Sequence, residues 1–174
     1  MSSTLELKDA GNAAFSKGNM AVAIEKYTEA VASLHSGTKE IQKGGEMGDL
    51  YATCLSNRAA CRLRLAKNHA ATSKKSTTSQ KDDDNITVEA KYCIDDCDSV
   101  IDIRPGHVKA IYRRAQAKLL LGDASGATLD LTKLIHIDPN NTDAVTLLRE
   151  ARSIVAKNHQ GISESVRLIR LLRT

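Results

Sequence analysis

Apolar side chains recur at intervals of three and four residues along most of the chain, the period of an amphipathic helix, and no run alternates as a half-buried strand would. The pattern is fullest between Val108 and Asn141. Ile111, Ala115 and Leu119, with Tyr112 beside them, share one face of a first predicted helix, which Gly122 stops. Ala127, Leu131, Leu134 and Ile135 then resume the period until Asp138-Pro139-Asn140, where proline can neither donate to a helix nor continue it. The stretch reads as a helical hairpin. Such a hairpin cannot bury its apolar stripe alone, so copies of it are to be expected.

Two copies are present. In residues 4–37, Leu7, Ala10, Gly11, Ala14, Gly18, Ala23, Tyr27 and Ala30 take the same places along the unit. The middle copy, residues 52–107, is irregular. Its first helix is predicted from about Gly48 to Ala66 and its second from Val88 to Ile103, with Cys93, Cys97 and Val100 in the small and apolar places and Arg104-Pro105-Gly106 ending it. Small residues at Gly11, Ala23, Ala59, Ala115 and Ala127 let helix backbones approach, and the larger Tyr27 and Leu131 fill the space between neighbouring pairs. The reading is an all-α stack of three helix-turn-helix units within a single domain over residues 1–174.

The connections carry further expectations. Ser3 or Thr4 is a plausible N-cap for the first helix, with Glu6 in its first turn. Residues 68–86, NHAATSKKSTTSQKDDDNI, have almost nothing to bury and are expected to be a flexible insertion. Ser73, Ser76, Thr77, Thr78 and Ser79 there could accept phosphate, as the hydroxyls of any disordered loop could. Thr142 is expected to cap a further helix whose Val145, Leu148, Ala151 and Val155 continue the stripe. A second short helix is expected after Gly161, so that capping helices occupy residues 142–174. The apolar Val166, Leu168, Ile169, Leu171 and Leu172 of that ending call for a surface to cover.

Composition narrows the function. With 41% hydrophobic residues in 174, there is enough for a shared helical core, and aromatics at 3% with no tryptophan favour closely packed helices. The amino terminus lacks the charged and apolar segments of a secretory signal, and no window approaches the roughly 20 apolar residues that span a bilayer. A soluble, cytoplasmic protein without a membrane partner is expected. A net charge of +4 is modest, and the cations are spread with little aromatic character for base stacking, which argues against nucleic acid. Cys54, Cys61, Cys93 and Cys97 fall in predicted helices of the middle unit without the spacing of common zinc sites, and read as reduced core residues. His35, His69, His107, His136 and His159 form no constellation with an acid or thiol. No catalytic residues, metal site or cofactor are expected, and the chain is not read as an enzyme.

The first helix of each stacked hairpin lines an inner, concave face. Lys8 and Asn12 share a face of the first hairpin, being four residues apart; Asn57 takes the inner face of the second; Lys109 and Arg113, again four apart, that of the third. Three cations and two amides on one groove suit a ligand with several nearby carboxylates: lysine as a point charge, arginine as a planar fork, and asparagine as a donor without charge. Ala14 and Phe15 are candidates to border an apolar pocket, or to pack in the core.

The three units resemble tetratricopeptide repeats, and LKDAGN, LSNRAA and VKAIYRRA resemble the signature of the dicarboxylate-clamp subclass. Likeness to tetratricopeptide repeats implies a right-handed superhelical stack. Members of the subclass hold the acidic tail, ending Glu-Glu-Val-Asp, of the cytosolic seventy- and ninety-kilodalton heat-shock proteins. The resemblance implies that Lys8, Asn12 and Asn57 grip the terminal carboxylates while Lys109 and Arg113 take upstream acidic groups and backbone. VKAIYRRAQA, GDASGATLDL and the tail through SVRLIRLLRT further resemble the amino-terminal domain of the UCS family of myosin-directed co-chaperones, which implies a myosin-like client engaged by a region absent here. The 68–86 insertion departs from that family. The alternative reading is the chaperone-targeting domain of a multidomain enzyme such as a phosphatase, prolyl isomerase or ubiquitin ligase.

Overall fold

Ser3 starts the first helix, α1 (Thr4–Ser16). Its hydroxyl accepts from the Glu6 amide at 3.2 Å while Glu6 Oε2 accepts from the Ser3 amide at 2.8 Å, so two donors that the helix leaves open satisfy each other's side chains. The helix ends at Gly18, whose φ of 78° is one that side-chain-bearing residues rarely adopt, and Gly122 ends the corresponding helix of the third hairpin at 79°. Asparagine or aspartate restarts the chain after such turns. Asn19 Oδ1 accepts from Val22 N at 3.2 Å, Asp123 Oδ1 from Gly126 N at 2.8 Å, and Asn141 Oδ1 from Ala144 N at 3.0 Å. The cap of the last helix is therefore Asn141 rather than Thr142, which is that helix's first residue.

The computed structural model describes residues 3–34, 45–73 and 80–171, without the side chains of 80–83 and 161–171. Among them α1 is followed by α2 (Met20–Leu34), α3 (Glu46–Ser73), α4 (Gln80–Ile103), α5 (Val108–Leu120), α6 (Ala124–Ile137) and α7 (Thr142–Leu171), and no strand is present among the described residues. Each helix packs on the next in sequence, and α3 also touches α1 and α5, which brings the first helices of the three hairpins together as one wall. This is the all-α helical stack that the periodicity predicts. The core runs through the middle of it, where Tyr27, Val100, Ile111, Leu131 and Leu134 are fully buried among alanines. All four cysteines are buried free thiols, and burial pushes those of Cys54 and Cys61 up to about 11.

Two expectations are corrected. The insertion expected to be loop between Asn68 and Ile86 is largely helical: α3 continues through Ser73 and α4 begins at Gln80, so only residues 74–79, with Ser76, Thr77, Thr78 and Ser79, lie outside the described residues. Ala70 and Ala71 are strong helix formers, and Thr72 Oγ1 donates to Asn68 O at 3.2 Å and His69 O at 2.8 Å, so a stretch too polar for a core still satisfies itself as helix. The capping segment is one helix, α7, that continues through Gly161 without a break. A single glycine costs a helix only about 1 kcal/mol, too little to divide this one.

Paired charges tie the hairpins internally. Arg58 of α3 grips Asp96 of α4 with Nε at 3.0 Å and Nη2 at 2.6 Å, and Arg114 of α5 grips Asp130 of α6 through the same two nitrogens. The two pairs occupy equivalent places: each arginine precedes the small residue at the helix crossing, Ala59 or Ala115, and each aspartate precedes the filling residue, Cys97 or Leu131. The first hairpin has Ala10 and Lys26 in those places, and Lys26 instead bonds Glu29 along its own helix at 2.9 Å.

What holds the first hairpin is a close approach. A Cβ on Gly11 would lie 2.6 Å from Cε1 and 2.8 Å from Cδ1 of the Tyr27 ring, so the ring rests on bare backbone. Gly11→Ala is expected to lower stability by roughly 1–3 kcal/mol, the usual cost of overpacking, even though alanine is the better helix former. A lower urea midpoint with an unchanged slope would show it.

Candidate functional site

Three consecutive residues of α3 organise the inner wall. Ser56, which is buried, accepts Arg113 Nη1 of α5 on its carbonyl oxygen at 2.8 Å and on Oγ at 2.6 Å. Asn57 donates from Nδ2 to Asn12 Oδ1 of α1 at 3.1 Å. Arg58 reaches Asp96 of α4 as above, and its Nη1 donates to Thr28 Oγ1 of α2 at 3.0 Å. Successive helical residues point about 100° apart, so one tripeptide serves four neighbouring helices.

Between α1, α3 and α5 lies a cavity of about 190 Å³ lined by Asn12, Phe15, Tyr27, Asn57, Ala60 and Arg113. It is smaller than the roughly 300–1,000 Å³ of a drug-sized site. Of the residues singled out in the sequence, Asn12, Asn57, Arg113 and Phe15 meet here. Lys8 and Lys109 do not line it. Lys8 stands over the neighbouring turn with Nζ 3.3 Å from Asp9 Oδ1, and its charge favours the thiolate of Cys54 across the wall. Lys109 is exposed in the first turn of α5, one turn before Arg113 on the same face. Ala14 faces away and packs in the core with Met20, Ala23, Tyr27 and Cys61.

Arg113 is electrostatically set apart. Burial lowers its pKa, by withdrawing the guanidinium from water, yet an arginine stays charged in any protein environment. Arg58, Arg62, Arg104 and Arg114 each lie against an aspartate or glutamate. Among the described residues Arg113 has no carboxylate partner, only the neutral oxygens of Ser56. A desolvated cation without a counter-ion, beside two side-chain amides, has the chemistry to accept an anion.

Sequence reasoning missed several members of this site. Tyr27 is buried, but its hydroxyl donates to Asn12 Oδ1 at 2.7 Å and so reaches the cavity. The signal was available, since a buried tyrosine must place its hydroxyl on a partner. Ser56 gave no sign beyond adjacency to Asn57. Arg64 sits with its guanidinium carbon 5.7 Å from the ring centroid of Phe15, at the edge of the cavity. Arg58, Arg62 and Arg114 turn out to be interhelical struts, with Arg62 also lying 4.5 Å over the Tyr92 ring. Among the described residues no cluster of histidine, cysteine and acidic side chains could hold a metal, and no helix is long and apolar enough to cross a membrane.

No protein-family model matches the chain. The FK506-binding protein-like protein of Mus musculus is 38% identical over 71 residues, which are 41% of this chain and 20% of that protein. The chain thus spans about a fifth or less of these curated relatives of Mus musculus, Rattus norvegicus and Homo sapiens. Among solved structures, the first TPR domain of Spaghetti (RPAP3), bound to the HSP90 peptide SRMEEVD, superposes with a TM-score of 0.62 at 22% identity, covering 88% of this chain and 95% of that one. The myosin chaperone UNC-45 of C. elegans, in complex with an Hsp90 peptide, gives 0.65 at 24% identity, covering 97% of this chain and 15% of that one. These likenesses show the fold, a stack of tetratricopeptide repeats.

Proposed function

We propose that this domain docks the acidic C-terminal tail of heat-shock protein 90, heat-shock protein 70 or both, as an adaptor of the co-chaperone kind. The observation that carries the reading is Arg113, a desolvated cation with no acidic partner among the described residues, facing the same cavity as Asn12 and Asn57. In this reading Lys8, Asn12 and Asn57 hold the terminal carboxylates, and Lys109 and Arg113 take upstream acidic groups and backbone. Phe15 offers the apolar contact for the penultimate valine. The RPAP3 and UNC-45 domains, each solved with an HSP90 peptide, support the assignment by fold. The match to UNC-45 over 97% of this chain also supports a myosin-like client held by a further region, and a cytoplasmic setting follows from the chaperone proposed. In a second reading, which the 38% identity over 71 residues to the FK506-binding protein-like protein favours, the same groove brings a larger enzyme to the chaperone.

Each charge-assisted bond contributes roughly 1.5–3 kcal/mol, and ordering a flexible peptide consumes much of the sum, so affinity on the order of micromolar is expected. The test is fluorescence anisotropy of a labelled peptide ending Met-Glu-Glu-Val-Asp, as free acid and as C-terminal amide. Micromolar binding that weakens about tenfold or more on amidation, and again with added salt, is the expected result. Equal binding of the two peptides would overturn the clamp.

A further inference from the structure

A side-chain amide presents an acceptor on one side and donors on the other, and its neighbours decide which way it lies. Asn12 Oδ1 receives two hydrogen bonds, from Tyr27 OH at 2.7 Å and from Asn57 Nδ2 at 3.1 Å, which uses both of its lone pairs. Its Nδ2 is left with Asp9 Oδ1 at 3.5 Å, at the limit of a hydrogen bond and easily given up. The donor side of Asn12 is therefore the side open to a ligand.

Asn57 alone would not enforce this. Two facing amides can pair either way round, and if both turned over, Asn12 would offer its carbonyl oxygen to an incoming carboxylate. Tyr27 removes that freedom. In the reversed pair Asn12 would turn its NH₂ on the phenol, which would lose the 2.7 Å acceptor that the observed arrangement gives it. Burial pushes the Tyr27 hydroxyl up to about 12, so it remains a donor at all physiological pH. The ring reaches Asn12 because the preceding residue is Gly11, over whose bare Cα it passes.

We infer that Tyr27 is a positioning residue of the groove: its hydroxyl fixes the Asn12 amide so that the NH₂ faces the ligand carboxylate. The inference rests on the clamp reading above, and it concerns how a core side chain prepares a binding donor before any ligand arrives.

The test compares wild type, Tyr27→Phe, Asn12→Ala and the double variant, each titrated with the free-acid and the amidated peptide, with thermal melts of all four. Tyr27→Phe keeps the ring on Gly11, so its melt is expected to stay near that of wild type. It is expected to weaken the free-acid peptide about three- to tenfold, the effect of one hydrogen bond, and to leave the amidated peptide almost unchanged. In the Asn12→Ala background the same change is expected to have no further effect, because Tyr27 acts through Asn12. A purely structural role would weaken both peptides alike and add to Asn12→Ala; either result overturns the inference, as does a Tyr27→Phe protein that binds like wild type. Failure of the clamp itself would look different, with wild type already indifferent to amidation.

Discussion

Asp96→Ala is expected to lower the stability of the domain by about 3–5 kcal/mol, a large part of the roughly 5–15 kcal/mol that holds a domain of this size. The carboxylate is buried, accepts two hydrogen bonds from Arg58, at 3.0 and 2.6 Å, and forms an ion pair with Arg62, whose Nε lies 3.3 Å away. Removing it leaves two arginines of α3, one turn apart and each largely covered, with Arg58 stripped of its counter-charge and Arg62 left only Glu89 at 3.9 Å. The cost is the stranded cations rather than the lost attraction alone, so Asp96→Asn should recover only part of it. Chemical denaturation followed by circular dichroism measures the loss. A change below about 1 kcal/mol would mean that water reaches the arginines and that the bridge is not a strut.

Arg113→Met should behave in the opposite way. Binding of the free-acid peptide is expected to fall by about 2–5 kcal/mol, or roughly 30-fold to several thousand-fold, because the replacement withdraws the one desolvated cation of the cavity. Stability is expected to stay within about 1 kcal/mol of wild type or to exceed it, since methionine fills a similar volume and carries no charge that burial penalises. Calorimetric titration and a thermal melt of the same sample would show both effects. A variant that lost stability in step with binding would make Arg113 a structural residue like Arg58.

The contrast between these two arginines marks how far the sequence could be read. The three- and four-residue period located the six hairpin helices but divided the capping segment in two where one helix stands, and helical spacing set Lys8 with Asn12, and Lys109 with Arg113, on shared faces. Whether a given arginine is a strut or a free cation depends on what stands opposite it. Asp96 lies 38 positions from Arg58, and Ser56 lies 57 from Arg113, distances over which no local period carries information. Tyr27 was legible as a core residue but not as a hydrogen-bond donor to Asn12, fifteen positions away. The stretch after Asn68 was misjudged for a different reason. Its polarity says that nothing there is buried, and a helix projecting into water has no need to bury anything.

The Ser56-Asn57-Arg58 tripeptide fixes how adjustable the groove can be. Because its three side chains leave α3 in three directions, rolling that helix to bring Asn57 closer to a ligand would swing Arg58 off Asp96 and pull Ser56 away from Arg113. Aim and foundation share one axle. In the clamp proposed above, a ligand whose carboxylates fall at another spacing could not be met by a small rotation of the wall without breaking the Arg58–Asp96 strut, which would tie selectivity to the register of a single helix.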